Sequence, residues 1–286
     1  TSAYGGLGAT NISVHVNGTP SRIDAIRFFA NSGPSGPGDM TFDLDSGARL
    51  NVSAIITNGA QGVLSSVRKS GPGTLTLSVT NSYTGWTTVS NGTLEISGAG
   101  LLGKGAYAGA ITNIGTLVFN TSVDQTLSGI ISGTGTLIKT NSNTLTLTGV
   151  NTYSGGTTSG ASLGMIVATV DTTQNSLGTG DIAIGAGSTV RFNNTSTVAG
   201  PVTIANTFTG AGTNILNFGA NAAAKNTGRA NVTGFSGTIR LSNSGANGDK
   251  WNVGGINAPG ASLIIDSGSQ LYISAGTTTF AGIQVT

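Results

Sequence analysis

The chain has 286 residues, of which only 8% are charged, and its formal net charge at pH 7 is +2. Average globular proteins carry roughly 25% charged residues, and the few Lys and Arg residues are scattered, so no nucleic-acid partner is predicted. The absence of cysteine excludes disulfides, thiolate metal sites and a cysteine nucleophile, while 47 glycines and 37% hydrophobic residues predict many turns around a buried core.

The predicted elements are short β-strands from the start of the chain. Residues 12–16 alternate apolar and polar side chains, and residues 22–29 are predicted to form a strand rather than a helical turn. Residues 33–38 form a loop of Gly and Pro. Three further alternating strands follow, at 40–44, 50–52 and 63–67.

The rest of the chain alternates in the same way. An alanine-rich stretch at 219–225 is too short for a stable helix, so we predict a loop or one helical turn there. No stretch reaches the roughly 18 apolar residues that a membrane-spanning helix needs. The fold class is therefore all-β with no substantial helix, which excludes folds whose strands are linked by helices. The remaining predicted strands lie at 94–96, 117–119, 137, 165–170, 182–184, 190–192, 202–204, 215–218, 239–241, 263–265, 271–273 and 283–285.

One stretch of the sequence occurs twice. Residues 74–88 return as residues 144–158, an offset of 70, and nine of the fifteen positions are identical. Two weaker similarities accompany it, because residues 101–105 resemble 176–180 and residues 54–56 resemble 129–131. Repeats at a fixed period are typical of stacked architectures.

Each copy combines a strand with a turn. The Thr-Leu-Thr-Leu alternation directs Leu75 and Leu77 to one face, as it does Leu145 and Leu147 in the second copy. An Asn-x-Tyr-x-Gly segment then breaks the strand. We expect a left-handed backbone at its Asn or Gly, and a tyrosine whose ring packs in the corner with its hydroxyl in solvent; stacking of the ring on sugars is the alternative. The turn residues are Asn81, Tyr83 and Gly85 in the first copy and Asn151, Tyr153 and Gly155 in the second.

This pattern resembles the autotransporter-associated β-strand repeat of bacterial passenger domains. The resemblance covers copies around 71–94 and 141–160, although Val79 and Trp86 replace small residues and the second copy lacks the Val-Ser-x-Gly-Thr-Leu ending. It implies a right-handed parallel β-helix on a secreted or cell-surface protein of bacteria. We expect residues 1–286 to form a single β-solenoid, a segment of a longer or processed exported protein.

The repeat also distinguishes a solenoid from a sandwich of two antiparallel sheets. In a solenoid each coil stacks on the previous one through parallel strands. We predict that Leu75 and Leu145 both face inward and that one repeat takes three coils.

The only cluster of carboxylates is Asp39, Asp43 and Asp45. If residues 40–44 form a strand, Asp43 and Asp45 share its outer face and are a candidate Ca²⁺ site, because calcium prefers oxygen ligands. The alternative, which we favour, is the polar face of an ordinary strand, since calcium needs six or more oxygens. No other cofactor is predicted.

No catalytic site is predicted. The single histidine, His15, lies between Val14 and Val16 and should face away from both, so no Ser-His-Asp site is predicted. Glu95 stands alone at an outward strand position, so no carboxylate pair for glycoside cleavage can be assigned.

The favoured function is an extracellular structural or adhesive solenoid of a bacterial surface protein. Its expected partners are other copies, joined head to tail or by strand exchange into a filament, neighbouring coils of the parent chain, and surface glycans. The alternatives are a carbohydrate-active β-helix enzyme, a lyase or hydrolase, and an ice- or sugar-binding module with regular ranks of threonine.

Overall fold

The computed structural model is all-β and consists of two compact units, unit 1 (Thr1–Gln125) and unit 2 (Thr126–Thr286). In the part of the chain that is described, no α-helix occurs, and the one helical element is a 3-10 turn at Gly103–Gly105. The alanine-rich stretch 219–225 and residues 33–37 of the predicted loop lie outside that part. The described residues are 11–16, 21–23, 28–29, 38–59, 64–171, 174–195, 202–217, 227–228, 231–242, 249–254, 256–275 and 278–286.

Unit 1 is built from parallel strands in successive coils. The first sheet has the order β1-β4-β7-β9-β12, the second has the order β2-β5-β8-β10-β13, and β3 pairs with β6. Strands consecutive in the chain thus fall in different sheets, and the chain returns to each sheet one coil later. The strands are β1 (Asn11–Val16), β2 (Ser21–Ile23), β3 (Phe28–Phe29), β4 (Gly38–Leu44), β5 (Arg49–Val52), β6 (Ile56–Thr57), β7 (Ser65–Ser70), β8 (Thr74–Leu77), β9 (Thr87–Val89), β10 (Thr93–Gly98), β11 (Ala106–Tyr107), β12 (Ile111–Asn113) and β13 (Thr116–Thr121), after which β14 (Gln125–Leu127) crosses the unit boundary.

Unit 2 follows the same plan. One sheet has the order β16-β18-β20-β23, a second has the order β17-β19-β21-β24-β26-β28-β30, and two parallel pairs, β22-β25 and β27-β29, complete it. The strands are β15 (Ile131–Ser132), β16 (Thr136–Lys139), β17 (Thr144–Leu147), β18 (Thr157–Ser159), β19 (Met165–Val170), β20 (Ile182–Ile184), β21 (Thr189–Asn194), β22 (Val202–Thr203), β23 (Phe208–Gly210), β24 (Thr213–Asn217), β25 (Thr227–Gly228), β26 (Thr238–Ser242), β27 (Asp249–Gly254), β28 (Asn257–Ile265), β29 (Ser269–Ala275) and β30 (Thr279–Val285).

These parallel pairings confirm the predicted all-β parallel β-solenoid and exclude a sandwich of antiparallel sheets. The right-handed winding and the single continuous solenoid over residues 1–286 stay predictions.

The core of each unit is a ladder of aliphatic side chains. In unit 1, Leu75, Leu94 and Leu117 occupy matching positions on β8, β10 and β13 and are fully buried. In unit 2, Leu145 and Ile166 do the same on β17 and β19. Full burial of each such side chain stabilises the fold by about 1.5–3 kcal/mol. The prediction that the leucines of both copies face inward is confirmed, because Leu75, Leu77, Leu145 and Leu147 are all 0% exposed.

The number of coils in one repeat stays a prediction, because Leu75 lies in unit 1 and Leu145 in unit 2. Within unit 1, coil length varies with the corners, since the interval from Leu75 to its partner Leu94 is shorter than that from Leu94 to Leu117.

Candidate functional site

The tyrosine of each repeat copy is wholly inside the coil. Tyr83 and Tyr153 are both 0% exposed. The Tyr83 hydroxyl lies 2.8 Å from Thr87 Oγ1, and the Tyr153 hydroxyl bonds Thr157 Oγ1 in the same way. Packing of the rings is thus confirmed, but the prediction of a solvent-exposed hydroxyl is wrong, because the threonine four residues later is also buried and supplies a partner. Burial equally prevents either ring from stacking on a sugar.

A third tyrosine extends this arrangement in unit 1. The ring of Tyr107 meets that of Tyr83 edge-on, with centroids 5.5 Å apart. Its hydroxyl lies 2.8 Å from Thr87 Oγ1 and also donates to the carbonyl oxygen of Gly85. Burial raises the pKa of Tyr107 to about 12 and that of Tyr83 well above its ordinary value. Burial raises the pKa of Tyr153 as well.

Sequence analysis did not identify Thr87, Thr157 or Tyr107 as partners in this cluster. The Tyr-x-x-x-Thr spacing, which both copies keep, was the available signal for the two threonines. No local signal marks Tyr107, because its position beside Tyr83 depends on coil register.

The asparagine of each copy connects three successive coils. Asn81 Oδ1 accepts the backbone N–H of Ile56 in the preceding coil at 3.0 Å. Its Nδ2 donates to the carbonyl oxygen of Leu101 in the following coil at 3.2 Å, and to that of Val79 at 2.7 Å. The bond to Val79 is the local main-chain contact expected of a turn asparagine, whereas the other two join neighbouring coils.

The second copy repeats this geometry within unit 2. Asn151 Oδ1 accepts the N–H of Ile131 at 2.7 Å, and its Nδ2 donates to the carbonyl oxygen of Ser176 at 2.6 Å. The weaker sequence similarities now have a physical explanation. Residues 54–56 and 129–131 supply the coil before each asparagine, and residues 101–105 and 176–180 supply the coil after it.

The two turn glycines do not adopt the predicted left-handed backbone. Neither Gly85 nor Gly155 has positive φ, nor does Asn81 or Asn151, and the residue after Gly155, Gly156, is left-handed instead, at 86°. Glycine is required instead by close packing of coils. A Cβ on Gly85 would fall within 3.0 Å of the Ser65 carbonyl oxygen, and one on Gly155 would meet the Gly135 carbonyl equally closely.

Two of the three carboxylates of the predicted calcium site lie near the single histidine. His15 is opposite Asp43 in the parallel register, and its Nδ1 and Nε2 lie 3.3 and 3.7 Å from carboxylate oxygens of Asp43 and Asp45. Ser70 Oγ also donates to Asp43 at 2.9 Å. All three side chains are about half exposed or more, at 57%, 47% and 54%. They form a polar outer face opposite the fully buried Phe42.

Asp39 differs from the other two aspartates. Burial raises its pKa, and the opposing charge of Arg68 partly offsets this. Across the described residues, no group of three or more His, Asp or Glu side chains is arranged to hold a metal ion. Calcium binding by Asp39, Asp43 and Asp45 therefore stays a prediction.

Comparison with known families identifies the repeat. The profile of the Passenger-associated-transport-repeat matches residues 67–96 and 137–158, which include both predicted copies of the turn. No curated protein and no solved structure matches the chain. Within the described part of the chain, no helix is long and apolar enough to cross a membrane. The repeat and the parallel solenoid together are features of an autotransporter passenger-like domain.

Proposed function

From two passenger-associated transport repeats on a β-solenoid, we infer that this chain is an extracellular structural segment of a bacterial surface protein. The observation that carries this proposal is that the asparagine of each repeat copy forms hydrogen bonds to backbone groups of the coils before and after it. Asn81 does so in unit 1 and Asn151 in unit 2. A repeat of this family implies a secreted or surface protein, and such passengers are generally structural rather than enzymatic.

The proposed role is mechanical. Backbone hydrogen bonds between parallel strands hold successive coils, and the aliphatic ladder excludes water from the interior. The surface carries few charges and relies on Thr, Ser and Asn hydroxyl and amide groups. Such a scaffold resists local opening because each coil is held by both of its neighbours.

The test is accessibility of the native protein on intact cells. An antibody raised against the chain should bind whole bacteria without permeabilisation, and external protease should remove the signal while a cytoplasmic marker stays intact. Detection only after lysis would contradict the proposal.

We propose adhesion to glycans as a more specific role, and one surface of unit 2 supports it. Thr189, Thr213, Thr238 and Ser262 occupy the same outward position on four successive strands, so their hydroxyls form a rank with roughly 4.8 Å spacing. The neighbouring rank contains Arg191, Ile215, Arg240 and Ile264. Hydroxyl and guanidinium donors beside aliphatic side chains suit sugars, whereas the bulky second rank does not suit a flat ice surface.

A glycan array tests this surface. Binding should fall in Thr213→Val/Thr238→Val, which keeps the shape and removes two hydroxyls. It should persist in the control Thr74→Val/Thr93→Val, which alters outward threonines of unit 1. An array on which the unmodified protein binds nothing would contradict the proposal.

We also propose that copies of this chain associate with one another. Ile283 and Val285 on β30 are 62% and 74% exposed, and β30 lies at the edge of its sheet, paired with β28. An apolar edge strand accepts another parallel strand. Light scattering of the purified chain should show larger species at higher concentration, abolished in Ile283→Lys/Val285→Lys and retained in the outward control Gln284→Lys. A monomer at every concentration would contradict this proposal.

A further inference from the structure

Two lysines, separated by the same offset as the two repeat copies, are buried inside the coils. Lys69 is 0% exposed and Lys139 is 1% exposed, although lysine is almost never fully buried unless its charge has partners. Lys69 stands in register between Phe42 and Val89, which are both fully buried. It therefore occupies an inward position that neighbouring strands fill with apolar side chains.

The ammonium of Lys69 ends among backbone carbonyl oxygens. Nζ donates to the carbonyl oxygens of Ser70 at 2.6 Å and Gly71 at 2.7 Å, in the turn that follows its own strand. It also lies 3.3 Å from the carbonyl oxygen of Asn91, in the turn of the next coil. One cation thus joins two stacked turns.

Lys139 uses the same geometry in the second copy. Its Nζ donates to the carbonyl oxygens of Thr140 at 2.6 Å and Asn141 at 2.8 Å. The second turn residue is left-handed in both copies, with φ of 70° at Gly71 and 71° at Asn141. Gly164 leaves room for the ammonium, since a Cβ there would lie 3.1 Å from Lys139 Nζ.

The carbonyl groups explain how a cation is tolerated in this position. Burying an ammonium is costly unless hydrogen bonds replace its hydration. Burial lowers the pKa of Lys69 to about 8, against the opposing effect of the Asp43 carboxylate. The amine is therefore still protonated at neutral pH, and it satisfies carbonyl oxygens that converge at the turn.

We propose that Lys69 and Lys139 are internal cations that stabilise the strand-to-turn junction of each repeat copy. Each ammonium binds the converging carbonyl oxygens of the turn, as a bound metal ion could. Both lysines lie within the matched repeat segments. This stabilisation is a property of the fold, so it does not depend on the proposed extracellular function.

Thermal unfolding of three single variants tests the proposal. Lys69→Met and Lys139→Met keep most of the side-chain volume but leave the turn carbonyls without the ammonium, so each should lower the unfolding midpoint by about 5 °C or more. Lys104→Met is the control, because Lys104 is exposed, and it should unfold at the wild-type temperature. Wild-type midpoints for Lys69→Met and Lys139→Met would overturn the proposal.

A measurement on the unmodified protein tests the same proposal if a variant does not fold. Nitrogen-15 NMR near neutral pH should show two side-chain ammonium signals that exchange slowly with water and correlate with turn carbonyl carbons. Exposed lysines exchange too fast to give such signals. Rapid exchange of every lysine ammonium would overturn the proposal.

Discussion

Asn81 accepts the backbone N–H of Ile56 across 25 residues of sequence, at 3.0 Å, from a side chain that is 0% exposed. Asn151 has the same relationship to Ile131 in the second copy. A side chain in the middle coil thus satisfies backbone groups that the neighbouring coils leave free at the corner.

We predict that Asn81→Ala and Asn151→Ala each lower the free energy of unfolding by about 1–3 kcal/mol, because they leave the buried N–H of Ile56 and of Ile131, respectively, without its asparagine acceptor. Chemical denaturation measures the change. Asn91→Ala is the control, since Asn91 is exposed and its side chain contacts the adjacent Gly92 N–H. Equal stability of all three variants and wild type would contradict the prediction.

The buried tyrosines predict a loss of stability at alkaline pH. Tyrosine in the unfolded chain deprotonates near pH 10, whereas burial raises the pKa of Tyr107 to about 12. The folded state therefore binds more protons between these values. Its stability should be complete below about pH 10 and fall as the pH rises towards 12.

Tyr107→Phe should unfold with a shallower pH dependence over this interval, as judged by denaturation at several pH values. Lys69 acts in the opposite direction, because its lowered pKa favours the folded state as pH rises from about 8 to 10.5. The comparison is therefore made above about pH 10.5, where Lys69 is deprotonated in both states. Parallel profiles for wild type and Tyr107→Phe would show that Tyr107 does not contribute.

Close coil packing predicts that the turn glycines tolerate no side chain. Gly85→Ala and Gly155→Ala should each destabilise the protein by about 1–3 kcal/mol, because the added methyl group collides with backbone carbonyls. Gly282→Ala is the matched control, since nothing lies within 4 Å of the position its Cβ would take. If all three alanine variants melted together with wild type, steric exclusion would not be the reason for glycine.

The calcium prediction is tested by calorimetric titration. If Asp39, Asp43 and Asp45 bind Ca²⁺, heat should be released on addition of calcium and should be lost in Asp43→Asn. Asp124→Asn, at an exposed aspartate elsewhere in unit 1, is the control. A titration without heat, and with an unchanged unfolding midpoint in calcium, would contradict the prediction and leave Asp43 and Asp45 as a polar face in contact with His15.

Catalysis on polysaccharides is predicted to be absent. Asp43, the carboxylate nearest to the histidine, is engaged by His15 and Ser70 on an open strand face. A panel of polysaccharides incubated with the protein should yield no new reducing or unsaturated ends. Reproducible cleavage that disappears in Asp43→Ala or Asp45→Ala would establish the enzyme alternative.

The sequence by itself determined the local features of the fold. Alternation at Leu75 and Leu77 predicted an inward face correctly, because side chains of a strand point to opposite sides with a period of two. The recurrence of one segment along the chain predicted parallel stacking correctly, since repeated units of a solenoid pack on their neighbours. The Asn-x-Tyr-x-Gly segment was correctly placed at a corner.

Only the tertiary structure decided what the corner residues do. The hydroxyl partner of Tyr107, the coil contacts of Asn81 and the steric role of Gly85 each involve atoms of a neighbouring coil, which is distant in sequence. That distance depends on corner lengths that vary along the chain. Burial of Lys69 likewise depends on carbonyl oxygens converging in two stacked turns. Backbone groups have no sequence signature, so their arrangement appears only when the coils are stacked.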